Sequence, residues 1–160
     1  MQKEWLPLSG GGAFAPILPP DPTRMPTDRS YPQTVRAQTA FISTIETTSS
    51  SSYTDLTTVG PQVEIAAGPS GLFLVTLYCG LRTTVTNGCF MSFTFTGGVA
   101  TAANDNLAIS SDVGNFGQRI GGSFLVTDLG AALVTITCKY RATAGATAEF
   151  RDRRLSVVPL

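Results

Sequence analysis

The sequence predicts an all-β fold, an antiparallel β-sandwich of about eight strands entered through an extended Pro-rich N-terminal arm. Three observations carry this expectation. The stretch from Leu72 to Thr96 is the densest run of β-branched and aromatic residues, and Asn87-Gly88, a strong turn signal, interrupts it. Apolar residues elsewhere recur with a period of two and show no helical period. Seven of the ten prolines, with the Gly10-Gly11-Gly12 run, fall before Arg36, where they preclude both a helix and a central strand.

Residues 1–36 therefore read as an arm and 37–160 as the sandwich domain. The arm carries large apolar residues spaced along it: Trp5, Leu6, Leu8, Phe14, Ile17, Leu18, Met25 and Tyr31. A plain solvated linker has no need of them. We expect an arm that lies across a partner, with Trp5, Leu8, Phe14, Ile17, Leu18 and Tyr31 as its anchors.

From Arg36 the texture changes. The run VRAQTAFISTIETT reads as a first strand with a mixed pattern, and Thr47 to Ser52 as a glycosylation tract or, more plainly, a polar bend. Val59-Gly60-Pro61 is a turn, and Gln62 to Ala66 alternates as a half-buried strand. Gly68-Pro69-Ser70-Gly71 turns the chain into a strand from Leu72 to Cys79. A loop over Gly80 to Asn87 follows, then a strand from Cys89 to Phe95 with Met91, Phe93 and Phe95 on one face. Gly97 to Asn106 is a loop, Leu107 to Ser111 a short strand and Asp112 to Gly117 another loop. Arg119 to Thr127 reads as a strand weakened or bulged at Gly121-Gly122. Ala132 to Arg141 alternates strongly, with Val134, Ile136, Cys138 and Tyr140 toward the core, and Phe150 to Val158 closes the chain. Strands at this even spacing fit a jelly roll.

Composition narrows the function. Lys plus Arg equals Asp plus Glu at 11 each, so no net field draws the chain to nucleic acid or an anionic membrane. The apolar runs are a strand long, short of the roughly 20 residues of a membrane helix. Met1 to Gly12 has no continuous apolar segment, so we expect no signal peptide and a protein made in the cytoplasm, kept there or released by lysis. The absence of histidine excludes a Ser-His-Asp triad, a Cys-His dyad and any His-ligated metal. Cys79, Cys89 and Cys138 lie in strand-like runs without C-x-x-C spacing and read as buried hydrophobes; Cys79 and Cys89 would face each other if their strands paired.

Few groups remain as candidate sites. Arg151-Asp152-Arg153-Arg154 is either a basic patch for phosphates and sugar acids or, more plainly, an internally paired charge cluster at the edge of the last strand. Asn104-Asp105-Asn106 and Asp112 offer oxygens, but not at the spacing of a calcium loop. Glu46, Asp55, Glu64, Asp105, Asp112, Asp128, Glu149 and Asp152 are enough carboxylates for some pair to fall at glycosidase spacing by chance, so they single out no active site. Gly97-Gly98 and Gly121-Gly122 lack the strand-Gly-helix setting of a phosphate loop. The chain is expected to be no enzyme and to need no cofactor or metal.

Over Gln38 to Leu160 the chain resembles a C-terminal jelly-roll or β-sandwich module of structural proteins of tailed phages and prophages. The resemblance rests on ETT…SYTDL, the VGP turn, the GPSG turn into a hydrophobic strand, KYR, and the terminal RRLSVVPL. It implies a virion component without catalysis, a minor tail or capsid decoration protein assembled as a homotrimer in the host cytoplasm. Its partners would be its own copies and other virion proteins held through the arm, with no nucleic acid and no membrane insertion. The alternative is a receptor- or carbohydrate-binding module on the virion surface, binding host glycans through the loops Gly80 to Asn87 and Gly97 to Asn106, with Tyr53, Tyr78 and Phe116 as stacking rings.

Overall fold

The computed structural model describes residues 36–68, 70–86, 88–111, 113–115, 117–127 and 133–160. The expected arm anchors Trp5, Leu8, Phe14, Ile17, Leu18 and Tyr31 lie outside the described residues, as do Asp112, Phe116 and the expected turn at Asp128.

Nine strands are described: β1 Gln38–Ile42, β2 Glu46–Thr48, β3 Gln62–Ala66, β4 Phe73–Thr83, β5 Cys89–Thr96, β6 Ile109–Ser111, β7 Gln118–Val126, β8 Leu133–Ala142 and β9 Ala148–Pro159. One 3₁₀ turn, Asp105–Leu107, lies between β5 and β6. Sheet one has the order β1-β9-β4-β7, with β2 also paired to β9, and sheet two the order β3-β8-β5-β6. All pairings are antiparallel. β1 and β2 pair with successive parts of β9 and act as one interrupted strand. Counted so, the sheets read 1-8-3-6 and 2-7-4-5, the double Greek key of a jelly roll, and the predicted all-β sandwich is the observed fold.

Alternation builds the core. Phe73, Val75, Leu77, Cys79 and Leu81 of β4 face Met91, Phe93 and Phe95 of β5 and Val134, Ile136, Cys138 and Tyr140 of β8, all buried. The inward set expected for β8 is the observed one. Phe93 meets Phe95 edge-on at 5.3 Å and the Phe124 ring of sheet one at 5.8 Å, which ties the sheets together.

Several sequence expectations change. β4 runs on through Gly80 to Thr83, so the expected loop shortens to 84–88. Gly80 is required there because the aliphatic stem of Arg151 crosses it; a Cβ would lie 2.6 Å from Arg151 Cγ. β4 and β5 belong to opposite sheets and do not pair. The Gly121-Gly122 pair carries no bulge, since β7 stays in unbroken register with β4. Gly122 instead lets β6 approach, as a Cβ would lie 2.9 Å from Ile109 Cγ2.

The bulge is in β9. Tyr78 pairs with Arg154 and Gly80 with Arg151, so Asp152 and Arg153 together oppose Cys79. Asp152 takes φ +50°, a left-handed conformation that Asp tolerates better than most residues. The extra residue shifts the phase of the strand. Before it Ala148 and Phe150 point inward; after it Arg153, Leu155 and Val157 do. β9 is also an interior strand, between β1 and β4, not the edge expected for the charge cluster.

Candidate functional site

The phase shift disperses the Arg151-Asp152-Arg153-Arg154 cluster, so the alternative of a basic patch is not met. Arg153 is fully buried in the core, and its Nη1 lies 3.1 Å from Glu46 Oε2. Nη1 also donates to the Thr58 carbonyl at 3.4 Å and Nη2 to Thr44 Oγ1 at 3.0 Å, while the guanidinium sits 5.4 Å from the Tyr140 ring centroid. The Glu46 carboxylate in turn accepts from the Thr58 amide at 3.0 Å and its hydroxyl at 2.5 Å. Partial burial works to raise the Glu46 pKa, but the Thr58 hydrogen bonds and the Arg153 charge outweigh it and hold the carboxyl below its usual range. This ion pair ties β2 and the following loop to β9. Asp152 and Arg154 point outward: Asp152 pairs with Arg119 of β7 at 3.0 Å, and Arg154 lies 5.3 Å over the Phe41 ring.

The outer faces of the two sheets each carry a groove. On sheet one, Phe41, Thr76, Tyr78, Arg119, Asp152, Arg154 and Ser156 line a depression of about 560 Å³. Its floor is built in rows across the strands. Thr39 Oγ1 donates to Ser156 Oγ at 3.0 Å, and Thr76 and Ser123 share a hydrogen bond at 2.9 Å, so the hydroxyls of one row satisfy each other. Beside this row lie Val158, Leu74 and Leu125, with Leu125 58% exposed.

On sheet two, Lys139 and Arg141 project from β8 between the 51–55 segment and β5. Thr54 bonds Tyr140 through both backbone groups at 2.9 Å, which lays this segment alongside β8. Ser51, Ser52, Tyr53, Thr54, Asp55, Thr94, Ala102 and Ala103 complete a groove of about 640 Å³.

Its charges are paired with one another. Lys139 Nζ contacts both oxygens of Asp55 at 2.7 Å. Arg141 forks onto Asp105, with Nε at 3.0 Å and Nη2 at 2.6 Å, and its plane stacks 3.8 Å from the Phe90 ring centroid. The Tyr53 hydroxyl donates to the same Asp105 at 2.8 Å. The Arg141 hydrogen bond holds the Asp105 carboxyl below its usual range, whereas burial, then the Asp105 contact, pushes the Tyr53 phenol well above its own. The loop carrying Asp105 is fixed from below. Ser92 Oγ lies 3.0 and 2.9 Å from the carbonyl oxygens of Asn104 and Leu107, and Asn104 Oδ1 caps the 3₁₀ turn by accepting the Asn106 amide.

Of the oxygens weighed for calcium, those of Asn104 and Asp105 are engaged within the fold, and the described residues contain no group of three His, Cys, Asp or Glu that could hold a metal ion. Of the rings expected for glycan stacking, Tyr53 lies in the sheet-two groove and Tyr78 in the sheet-one groove, on opposite faces. Of the two expected recognition loops, Gly97 to Asn106 contributes Ala102 and Ala103 to the sheet-two groove. The three cysteines are free and buried; burial raises all three thiols, Cys79 to about 12 and Cys89 to about 11, so none is a ready nucleophile.

No protein-family profile matches the chain, and no curated protein matches it. Among solved structures it is similar to a chain of the "Structure of infectious bursal disease virus Gx strain", with a TM-score of 0.49 and 10% identity. The match covers 79% of this chain but 34% of that one, so the chain spans about a third of its neighbour's length.

Proposed function

We propose that the chain is a non-enzymatic structural component of a tailed-phage virion, a minor tail or capsid-attached protein. In this reading residues 1–36 anchor it to the particle through Trp5, Leu8, Phe14, Ile17, Leu18 and Tyr31, and the sandwich is displayed outward as a homotrimer. The outer face of sheet one is the observation that carries it. That face is broad and regular, with a self-satisfied hydroxyl row beside exposed Leu125 and Val158, and its charges, Arg154 and the Arg119–Asp152 and Arg82–Glu149 pairs, lie from the Tyr78 row onward. Such a surface suits packing against copies of the same chain, and closed cyclic symmetry is the usual outcome for homo-oligomers. The jelly roll and the resemblance of Gln38 to Leu160 to phage structural modules point the same way. Assembly takes place in the host cytoplasm, and neither nucleic acid nor membrane insertion is involved.

Deleting residues 1–35 tests the anchor. The truncated chain is expected to stay folded and to scatter light as three 16.8 kDa protomers less the arm, yet to be missing from purified particles. Incorporation at the level of the full chain would refute the anchoring role, and a monomer at micromolar concentration would refute the trimer.

A further inference from the structure

We propose that the sheet-two groove is a binding site for a neutral, polyhydroxylated ligand, an uncharged oligosaccharide. The inference stands apart from the virion reading, because it rests on the chemistry of the groove whether or not the chain sits on a particle.

The first argument is electrostatic. Asp55 and Asp105 are matched by Lys139 and Arg141 at 2.6 to 3.0 Å, so the groove presents polar atoms without net charge. A charged ligand would have to displace one member of a pair, and an anion's partner in that exchange is Lys139 or Arg141, whose side chains are 21% and 17% exposed and already matched. A sugar hydroxyl both donates and accepts. It adds hydrogen bonds to the unused lone pairs of Asp55 and the third ammonium proton of Lys139, both in the lining, without breaking an existing contact.

The second argument is preorganisation. Arg141 is clamped between Asp105 and the Phe90 ring, Tyr53 is held through its hydroxyl, and Ser92 pins the loop that carries Asp105 and brings Ala102 and Ala103 to the groove. Little side-chain freedom remains to be lost when a ligand arrives. The third argument is the mixed wall. The body of Tyr53, the methyls of Ala102 and Ala103 and those of Thr54 and Thr94 supply apolar contact for the C–H faces of a pyranose, beside the polar rows that would meet its edges. The groove's volume of about 640 Å³ lies within the usual small-ligand range of roughly 300–1,000 Å³.

The test uses the full chain and a panel of neutral oligosaccharides of glucose, galactose, rhamnose and N-acetylglucosamine beside sialylated and uronate oligomers, with binding followed by NMR titration. At least one neutral oligomer is expected to bind with a Kd in the range of about 0.1 to 5 mM, with little dependence on salt. Ala102→Trp places a bulky ring on an exposed position and should abolish this binding while leaving the thermal transition unchanged. Tyr53→Ala should weaken it about tenfold or more. Absence of binding by every neutral oligomer, binding only of charged oligomers with steep salt dependence, or binding left intact by Ala102→Trp would each overturn the proposal. None of these outcomes bears on particle incorporation, so the two readings fail separately.

Discussion

Arg153→Ala is expected to destabilise the sandwich by about 3–5 kcal/mol, the cost of leaving one member of a buried ion pair alone. For a domain whose total stability is about 5–15 kcal/mol, that approaches unfolding. The side chain is fully buried, and three groups depend on it: the Glu46 carboxylate, the Thr58 carbonyl and the Thr44 hydroxyl. Truncation removes all three contacts, opens a cavity against Tyr140 and strands Glu46, whose side chain is only 14% exposed. The double variant Arg153→Met/Glu46→Gln provides the control, since it removes both charges and refills the volume; it should fall within about 1–2 kcal/mol of the parent, as replaced buried pairs commonly do.

The pair also sets a pH dependence. Glu46 has a folded pKa held below its ordinary value of 4.5. Its contribution is therefore present above that ordinary value and is lost as pH falls through the folded one. Urea titrations from pH 7 downward should show the parent losing stability below about pH 4.5 more steeply than the double variant. Equal slopes, or an Arg153→Ala chain within 1 kcal/mol of the parent, would mean that the pair is not the clasp described here.

Phe93→Ala should cost about 3–5 kcal/mol, through lost transfer energy plus the cavity left behind. Phe93 is fully buried in sheet two and touches Phe95 in its own strand and Phe124 across the sandwich. Neither neighbour can collapse into the space without giving up its own strand register. Phe93→Leu keeps most of the volume and should lose less. The check is the urea midpoint at unchanged slope, and a loss under 1 kcal/mol would show that the two sheets are not joined through this ring.

Much of the sandwich was legible because alternation reports burial directly. Val63 and Ile65, Met91, Phe93 and Phe95, and Val134, Ile136, Cys138 and Tyr140 all face inward as their spacing predicts. Alternation does not report which sheet a strand joins, so it cannot tell that Leu72 to Cys79 and Cys89 to Phe95 belong to opposite sheets. Gly80 and Arg82 looked like loop residues; the Gly is there to admit Arg151, a contact 71 positions away in the chain.

The buried Arg153 had a sequence signal that residue type concealed. Phe150 and Leu155 are both inward yet differ in parity, which requires one extra residue between them. That phase break locates the bulge, and a run of four charged residues disguised it as a surface patch. The sheet-two groove was less legible still. Tyr53 and the 97–106 loop stand out in the sequence, but nothing there joins Asp105 to Arg141 or Asp55 to Lys139. Their convergence is a product of the topology, since β8 lies between the 51–55 segment and β5.

The proposed virion assignment is tested most directly by quantitative peptide mapping of density-purified particles from lysates of cells that produce the chain. The account predicts this chain in the particle band at a fixed copy number per particle, divisible by three. Its recovery only from the soluble fraction of the lysate, with none in the particle band, would contradict it.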